Sequence, residues 1–343
     1  MVRLLTCAFL IICSTSAFAW DAAGHKVVGS IADQLLGANA KQQVAQILGY
    51  DLKTAGPWLD CVKSVEKQDD DGHFGYKVDP QYEDPCKPFT NEHARMEDYV
   101  KRNWFDCRYP PQGTDRGCHN AYHFDDVAVQ RDRFDRNFVG TNDHDIVSAT
   151  NAAIAVLLDR AAPLPFSIVD KKEALFLLAH LLGDLHQPLH VSAVYLDKYG
   201  NLLDPDVNHT IDPSTDTAGG NFITDPLVTD KVKSFHLADW DTVPSDLDKV
   251  QAATPELLAM ASSVPRDSGR IEDWSVGWAT DTILAAHAAF SGVQFTPASN
   301  GRGWIVSFVN GRDAYMRDAD DLKRKQLAKA GARLAELLNT IWP

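Results

Sequence analysis

AHLLGDLHQPLHV, residues 179–191, closes an apolar run that begins near residue 171. Apolar side chains recur at three- and four-residue intervals over 171–185, the pattern of a buried helix. His180 and Asp184 are four apart, so both leave the same face one turn from each other and can grip one ion. Pro188 ends the helix, and His190 follows where the chain turns. A buried helix gains nothing from three imidazoles and a carboxylate unless something satisfies them. The stretch reads as an apolar helix that delivers metal ligands at its end, with His186 as a candidate support that orients a ligand from behind.

Outward from this stretch the same periodicity recurs over 27–36, 40–48, 146–158, 274–290 and 318–341, while strand-like alternation is rare. The expected architecture is mostly α, a single domain with loop-rich insertions at about 61–120 and about 197–235. Leu322, Leu327, Ala330, Leu334 and Leu338 form one stripe of the last helix, a core-packing face. With 343 residues, 45% hydrophobic and 23% charged, the chain has material for a core, which excludes a disordered protein. Lys and Arg number 33 against 47 Asp and Glu, a formal charge of −14. Such a chain cannot hold a polyanion by its overall field, and the lack of a basic stripe or helix-turn-helix pattern argues against a sequence-reading DNA-binding protein. Any phosphate chemistry must use a few local cations or a metal.

At the start, Arg3 precedes an apolar run over 4–13, and Ala17-Phe18-Ala19 is a small-x-small cleavage pattern. The run is short of the ~20 residues that span a bilayer. Residues 1–19 are therefore expected to be a signal peptide and 20–343 the mature domain, secreted or periplasmic, with Trp20 as its new N-terminus. Cys7 and Cys13 leave with the signal, so Cys61, Cys86, Cys107 and Cys118 remain, and two disulfides are expected, their pairing open. No Cys-x-x-Cys spacing favours a thiolate metal site. Asn208-His209-Thr210 is a glycosylation sequon in a eukaryotic secretory host.

Further candidate ligands lie far off in sequence: His25, Asp60, His123, and His236 with Asp239 or Asp241. His73, His93, His119, His144, His209 and His287 read as solvated surface groups.

Taken together, Trp20, His25, Trp58-x-Asp60, His123-Phe124-x-Asp126, GDLHQPLH over 183–190, GGN over 219–221 and Trp240-Asp241 resemble the zinc-dependent single-strand nucleases of the S1/P1 type. Those enzymes share a helical fold with the bacterial zinc phospholipases C. The resemblance implies a phospholipase C/nuclease-type fold with three Zn2+ ions at the bottom of a cleft. One zinc would be held by Asp60, His123, His180 and Asp184. A second would share Asp184 with His25 and the α-amino group and carbonyl oxygen of Trp20, so that signal removal completes the site. The third would use His190, His236 and an aspartate. Here the chain departs from the pattern, which spaces that last His and Asp four apart: Asp241 lies five after His236 and Asp239 three. The Trp-Asp-Thr context favours Asp241.

The resemblance also implies roles. Asp60 would orient the attacking water, and Lys63 would stand beside the scissile phosphate. Phe124 would stack on an unpaired base whose edge Asp126 reads, and Asn221 would touch substrate or simply close its turn. The implied activity is a secreted endonuclease that cuts single-stranded DNA and RNA to 5′-phosphate products, because a paired base cannot enter such a pocket. Activity as a 3′-nucleotidase is a further expectation. Neither a membrane after signal cleavage nor a protein partner is expected. The rival readings are a zinc phospholipase C on the same fold and a non-catalytic secreted zinc-binding protein.

Overall fold

The helix that carries His180 and Asp184 runs from Lys171 to Asp184 and is buried on every face from Glu173 onward. Asp170 caps its start, its side chain accepting from the Glu173 backbone N–H at 2.8 Å. A helix with no polar face must be wrapped. The helices Ile146–Leu157, Ala22–Leu35 and Arg312–Ile341 pack against it.

This computed structural model describes residues 20–343 except 70–71, 79, 81, 105–116, 208–211, 213, 230–232 and 300–302. The expected signal segment 1–19, the sequon at 208–210 and Cys107 lie outside the described residues. The architecture is mostly α, as the periodicity implies. The N-terminal helix Ala22–Leu35 begins at Asp21, whose carboxylate accepts from Gly24 N–H at 2.9 Å. It crosses the C-terminal helix Arg312–Ile341 at Gly331, where an added Cβ would lie 2.5 Å from Ile31 Cβ. That close crossing seats the N-terminal helix, and Trp20 before it, against the central helix.

Among the described residues two large apolar cores result, with a small third cluster of Ala128, Ala193 and Tyr195. The larger gathers Trp20, Val27, Ile31, Trp58, Phe176, Leu181 and Leu334 around the central helix. The smaller gathers Leu189, Val194, Ile223, Phe235, Trp240 and Tyr315. Beside the smaller core lies a three-stranded sheet in which Trp304–Phe308 pairs parallel to Ile223–Thr224 and antiparallel to Val293–Pro297, Val306 facing Phe295. A short parallel pairing of Val127–Ala128 with Ser192–Ala193 brings the segment after His123 alongside the segment after His190. Among the described residues, no helix is long and apolar enough to cross a membrane.

In its described residues, the expected loop-rich insertion at 61–120 holds regular elements that its composition does not signal. It contains the helix His93–Arg102 and the hairpin Val65–Lys67 with Phe74–Tyr76. Only Met96, Tyr99 and Val100 are buried on that helix, too few apolar positions to register as periodicity. Its last turn is held by an Asp98–Arg102 ion pair four residues apart. Cys61 is bonded to Cys86, and Cys118 is also disulfide-bonded. The last helix starts at Arg312, nearly three turns before the apolar stripe begins at Leu322, and its Leu327, Ala330, Leu334 and Leu338 are buried as core residues.

Candidate metal centre

His180 and Asp184 meet as their spacing requires, with Nε2 3.1 Å from Oδ2. Around them the fold collects, among the described residues, three groups of side chains that could each hold an ion, the first two sharing His180: His25, Asp60 and His180; His123, His180 and Asp184; and His190, His236 and Asp241. All eight residues are buried. Asp184 faces two ways. Its Oδ1 lies 3.4 Å from His25 Nε2, while Oδ2 lies 3.0 Å from His123 Nδ1. His25 stacks on His180 with ring centroids 3.6 Å apart and comes within 3.9 Å of Asp60.

The imidazoles are oriented from behind. Nδ1 of His180 donates to Gly56 O at 2.9 Å, Nδ1 of His190 to His123 O at 2.9 Å, and Nδ1 of His236 to Gly219 O at 2.7 Å. A carbonyl can only accept, so in each ring Nδ1 carries a hydrogen, and Nε2 has a lone pair whenever the ring is neutral. Those lone pairs converge: His180 Nε2 lies 3.1 Å from His123 Nδ1, and His236 Nε2 lies 2.9 Å from His190 Nε2. Buried nitrogens aimed at one another repel unless a cation or proton sits between them. Nitrogen and carboxylate donors without thiolate suit zinc kept open for catalysis. The residues fit the metal that the resemblance implies.

Electrostatics match that reading. Burial would raise the Asp60 carboxyl, but the Lys63 ammonium at 2.7 Å and the facing imidazoles hold it down to about 2. Burial likewise opposes the charge on Asp184, and His180 and His25 outweigh it. Burial lowers His25 to about 3, and it also holds His123 well below the ordinary range. His190 goes the other way. Burial opposes its charge, yet the Asp241 hydrogen bond and the Asp184 and Asp241 charges raise it to about 9.

Asp241, not Asp239, faces the histidines. Phe235–Trp240 is a π turn in which Asp241 N–H donates to His236 O five residues back, at 3.0 Å. This brings Asp241 Oδ1 to 3.1 Å from His236 Nε2 and 3.5 Å from His190 Nε2. Asp239 turns away into an ion pair with Arg312. Burial pushes its carboxyl up to about 7 despite that partner.

Trp20 is fully buried, and its indole Nε1 donates to Gly183 O at 3.0 Å, beside Asp184. The next residue, Asp21, donates its N–H to Asp241 O at 2.8 Å. The N-terminal residue of the expected mature chain thus lies between the ligand helix and the third group. Lys63 pairs with Asp60 within the same short helical stretch, just beyond Trp58–Val62. Phe124 is half-buried and Asp126 buried, one and three residues after His123. Burial, then the charge of Asp216, raises the Asp126 carboxyl well above its usual range. Asn221 closes its own turn, its Nδ2 donating to Ala218 O at 2.9 Å.

Three features escape sequence reasoning. Gln187 clamps the third group, donating to Asp241 Oδ1 at 2.7 Å while its Oε1 accepts from Leu189 N–H. Its place inside GDLHQPLH was the only available signal. His186 supports no ligand ring. It donates to Leu182 O at 2.7 Å and accepts from Arg333 at 2.8 Å on the side of the C-terminal helix. His119 and His144 are buried instead of solvated, His119 against the rings of Tyr99 and Trp104 and His144 bonded to Asp143.

The profile of the family described as S1/P1 Nuclease matches residues 103–343, well over half of the chain and the span that holds His123, His180, Asp184, His190, His236 and Asp241. Comparison with curated proteins gives no match. The chain belongs to the S1/P1 nuclease family, and so is a phosphodiester hydrolase acting on nucleic acids.

Proposed function

We propose that this nuclease is a zinc-dependent endonuclease of single-stranded DNA and RNA, leaving 5′-phosphate products, and that residues 20–343 are its one catalytic domain. The observation that carries the reading is the two-way carboxylate of Asp184. One oxygen serves His25 and the other serves His123 and His180, the arrangement that lets one residue join two metal sites. Asp60, His123, His180 and Asp184 would hold one ion. His25 and the backbone of Trp20 would complete the second with Asp184, and His190, His236 and Asp241 would hold the third. Bound zinc supplies Lewis acidity toward phosphate, an ionised water at moderate pH, and stabilisation of the leaving oxygen.

The chain's own groups do the rest. Asp60, held ionised by Lys63, orients the water, and the Lys63 ammonium offsets negative charge on the phosphate. Phe124 offers a face for a base to stack on. Asp126 meets the base edge, as two acceptors when ionised or as one donor and one acceptor when neutral. An unstacked base is needed to reach both, which supports the preference for single strands. The Cys61–Cys86 disulfide supports export to an oxidising compartment, secreted or periplasmic. Export would also free the Trp20 amine, a ligand only when uncapped.

The test pairs metal analysis of the chain beginning at Trp20 with digestion of single-stranded and duplex nucleic acid. About three zincs per chain and single-strand cleavage abolished by chelator are expected. A metal-free active protein, or release of phosphocholine from lipid with single-stranded DNA untouched, would overturn the reading.

A further inference from the structure

We propose that Arg312 and Lys323, on one face of the C-terminal helix, are positioning residues for the metal site of His190, His236 and Asp241. The proposal rests on the reading above that this group holds an ion. On an α-helix, residues five apart point about 140° away from each other, so His236 and Asp241 could not share an ion there. The π turn over Phe235–Trp240 cures this by lengthening the hydrogen-bonded ring by one residue, and it brings the two side chains to 3.1 Å. A π turn is a rare backbone state that needs outside support.

Beside the Gly219 carbonyl and Gln187, that support comes from the C-terminal helix. Arg312 bridges Asp239 and Asp225, its Nε 2.5 Å from Asp225 Oδ2. Lys323 donates from Nζ to Thr242 O at 2.7 Å and lies 5.8 Å over the Trp240 ring. Between them Tyr315 accepts from Trp240 Nε1 at 2.9 Å. Residues 239, 240 and 242 are thereby anchored on both sides of Asp241, leaving its carboxylate to face the histidines. Eleven residues make about three turns, so Arg312 and Lys323 reach the turn from one face. Lys323 is 1% exposed. A buried ammonium is costly where an apolar side chain would fill the space, unless its position and charge are used. Its neighbours are carboxylates, Asp320 at 3.9 Å with Asp239, Asp241 and Asp21 beyond.

The experiment titrates zinc-loaded mature protein with a chelator and counts metal per chain at each step. It compares the parent with Lys323→Met, with Arg312→Lys, which keeps the charge but loses the planar fork, and with Arg324→Ala. Among the described residues Arg324 pairs with exposed Asp246, away from the turn, and it serves as the control. Both positioning variants are expected to release one ion at roughly tenfold or more lower chelator strength, with the other two held as in the parent and the control unchanged. Should Lys323→Met fail to fold, the Arg312→Lys result decides. If the parent holds three ions and the variants lose all three in parallel with it, whatever happens to Tm, the positioning role is refuted. A parent that holds only two ions instead overturns the reading of the third site.

Discussion

Asp184 joins two groups of ligands through its two oxygens, and its removal should be felt in both. Asp184→Asn is expected to lower bound metal from about three toward one and to cut activity more than about a hundredfold, measured by elemental analysis beside a digestion assay. Retention of all metals would show that the carboxylate joins nothing. His190 gives a second residue-scale outcome, in protein stripped of metal. Folding raises its imidazole from 6.5 to about 9, so the folded state binds that proton more tightly than the unfolded chain does. The stabilisation is complete below pH 6.5 and disappears as pH climbs through about 9. Tm of the metal-free protein should therefore fall across that window, and His190→Gln should flatten the decline. Metal must displace the same proton, so uptake is expected to release protons in this range.

At the scale of elements, the turn at 217–221 and the π turn support each other. Gly219 sits at φ +59, where its carbonyl accepts from His236, and an added Cβ would meet Leu189 O at 2.3 Å and His236 Nδ1 at 3.1 Å. Both the left-handed backbone and the close approach demand glycine. Gly219→Ala should cost about 1–3 kcal/mol of stability and weaken the third ion more than the other two, readable by denaturant unfolding and metal count. Equal metal content with unchanged stability would mean the loop adapts freely. The central helix shows the complementary case. Its burial on all faces makes its end rigid enough that His180 and Asp184 need no help from the loop to meet.

For the whole molecule, the formal charge of −14 sets how substrate is held. Attraction cannot come from the overall field, so on the proposed function affinity comes from the metals, Lys63 and base stacking. The logarithm of cleavage efficiency against the logarithm of salt should have a slope no steeper than about −2, the mark of one or two displaced counterions. A slope several times larger would require a basic surface. The candidate third site lies where the two apolar cores meet, with Val191 in the larger and Leu189 and Trp240 in the smaller.

Much of this protein is written locally. The helices, the burial of the segment 171–185 and the shared face of His180 and Asp184 all follow from intervals of three and four residues, because helix geometry is set within a turn. The mostly α architecture is legible for the same reason, whereas the distant His and Asp candidates are joined to this helix only by the family resemblance. The helix His93–Arg102 is not, since charge pairs and a single narrow apolar contact hold it. Whether Asp239 or Asp241 faces His236 could not be read from spacing at all. That choice depends on Arg312, Tyr315 and Lys323, more than seventy residues away, which stabilise a backbone turn that the local sequence has no means to prefer.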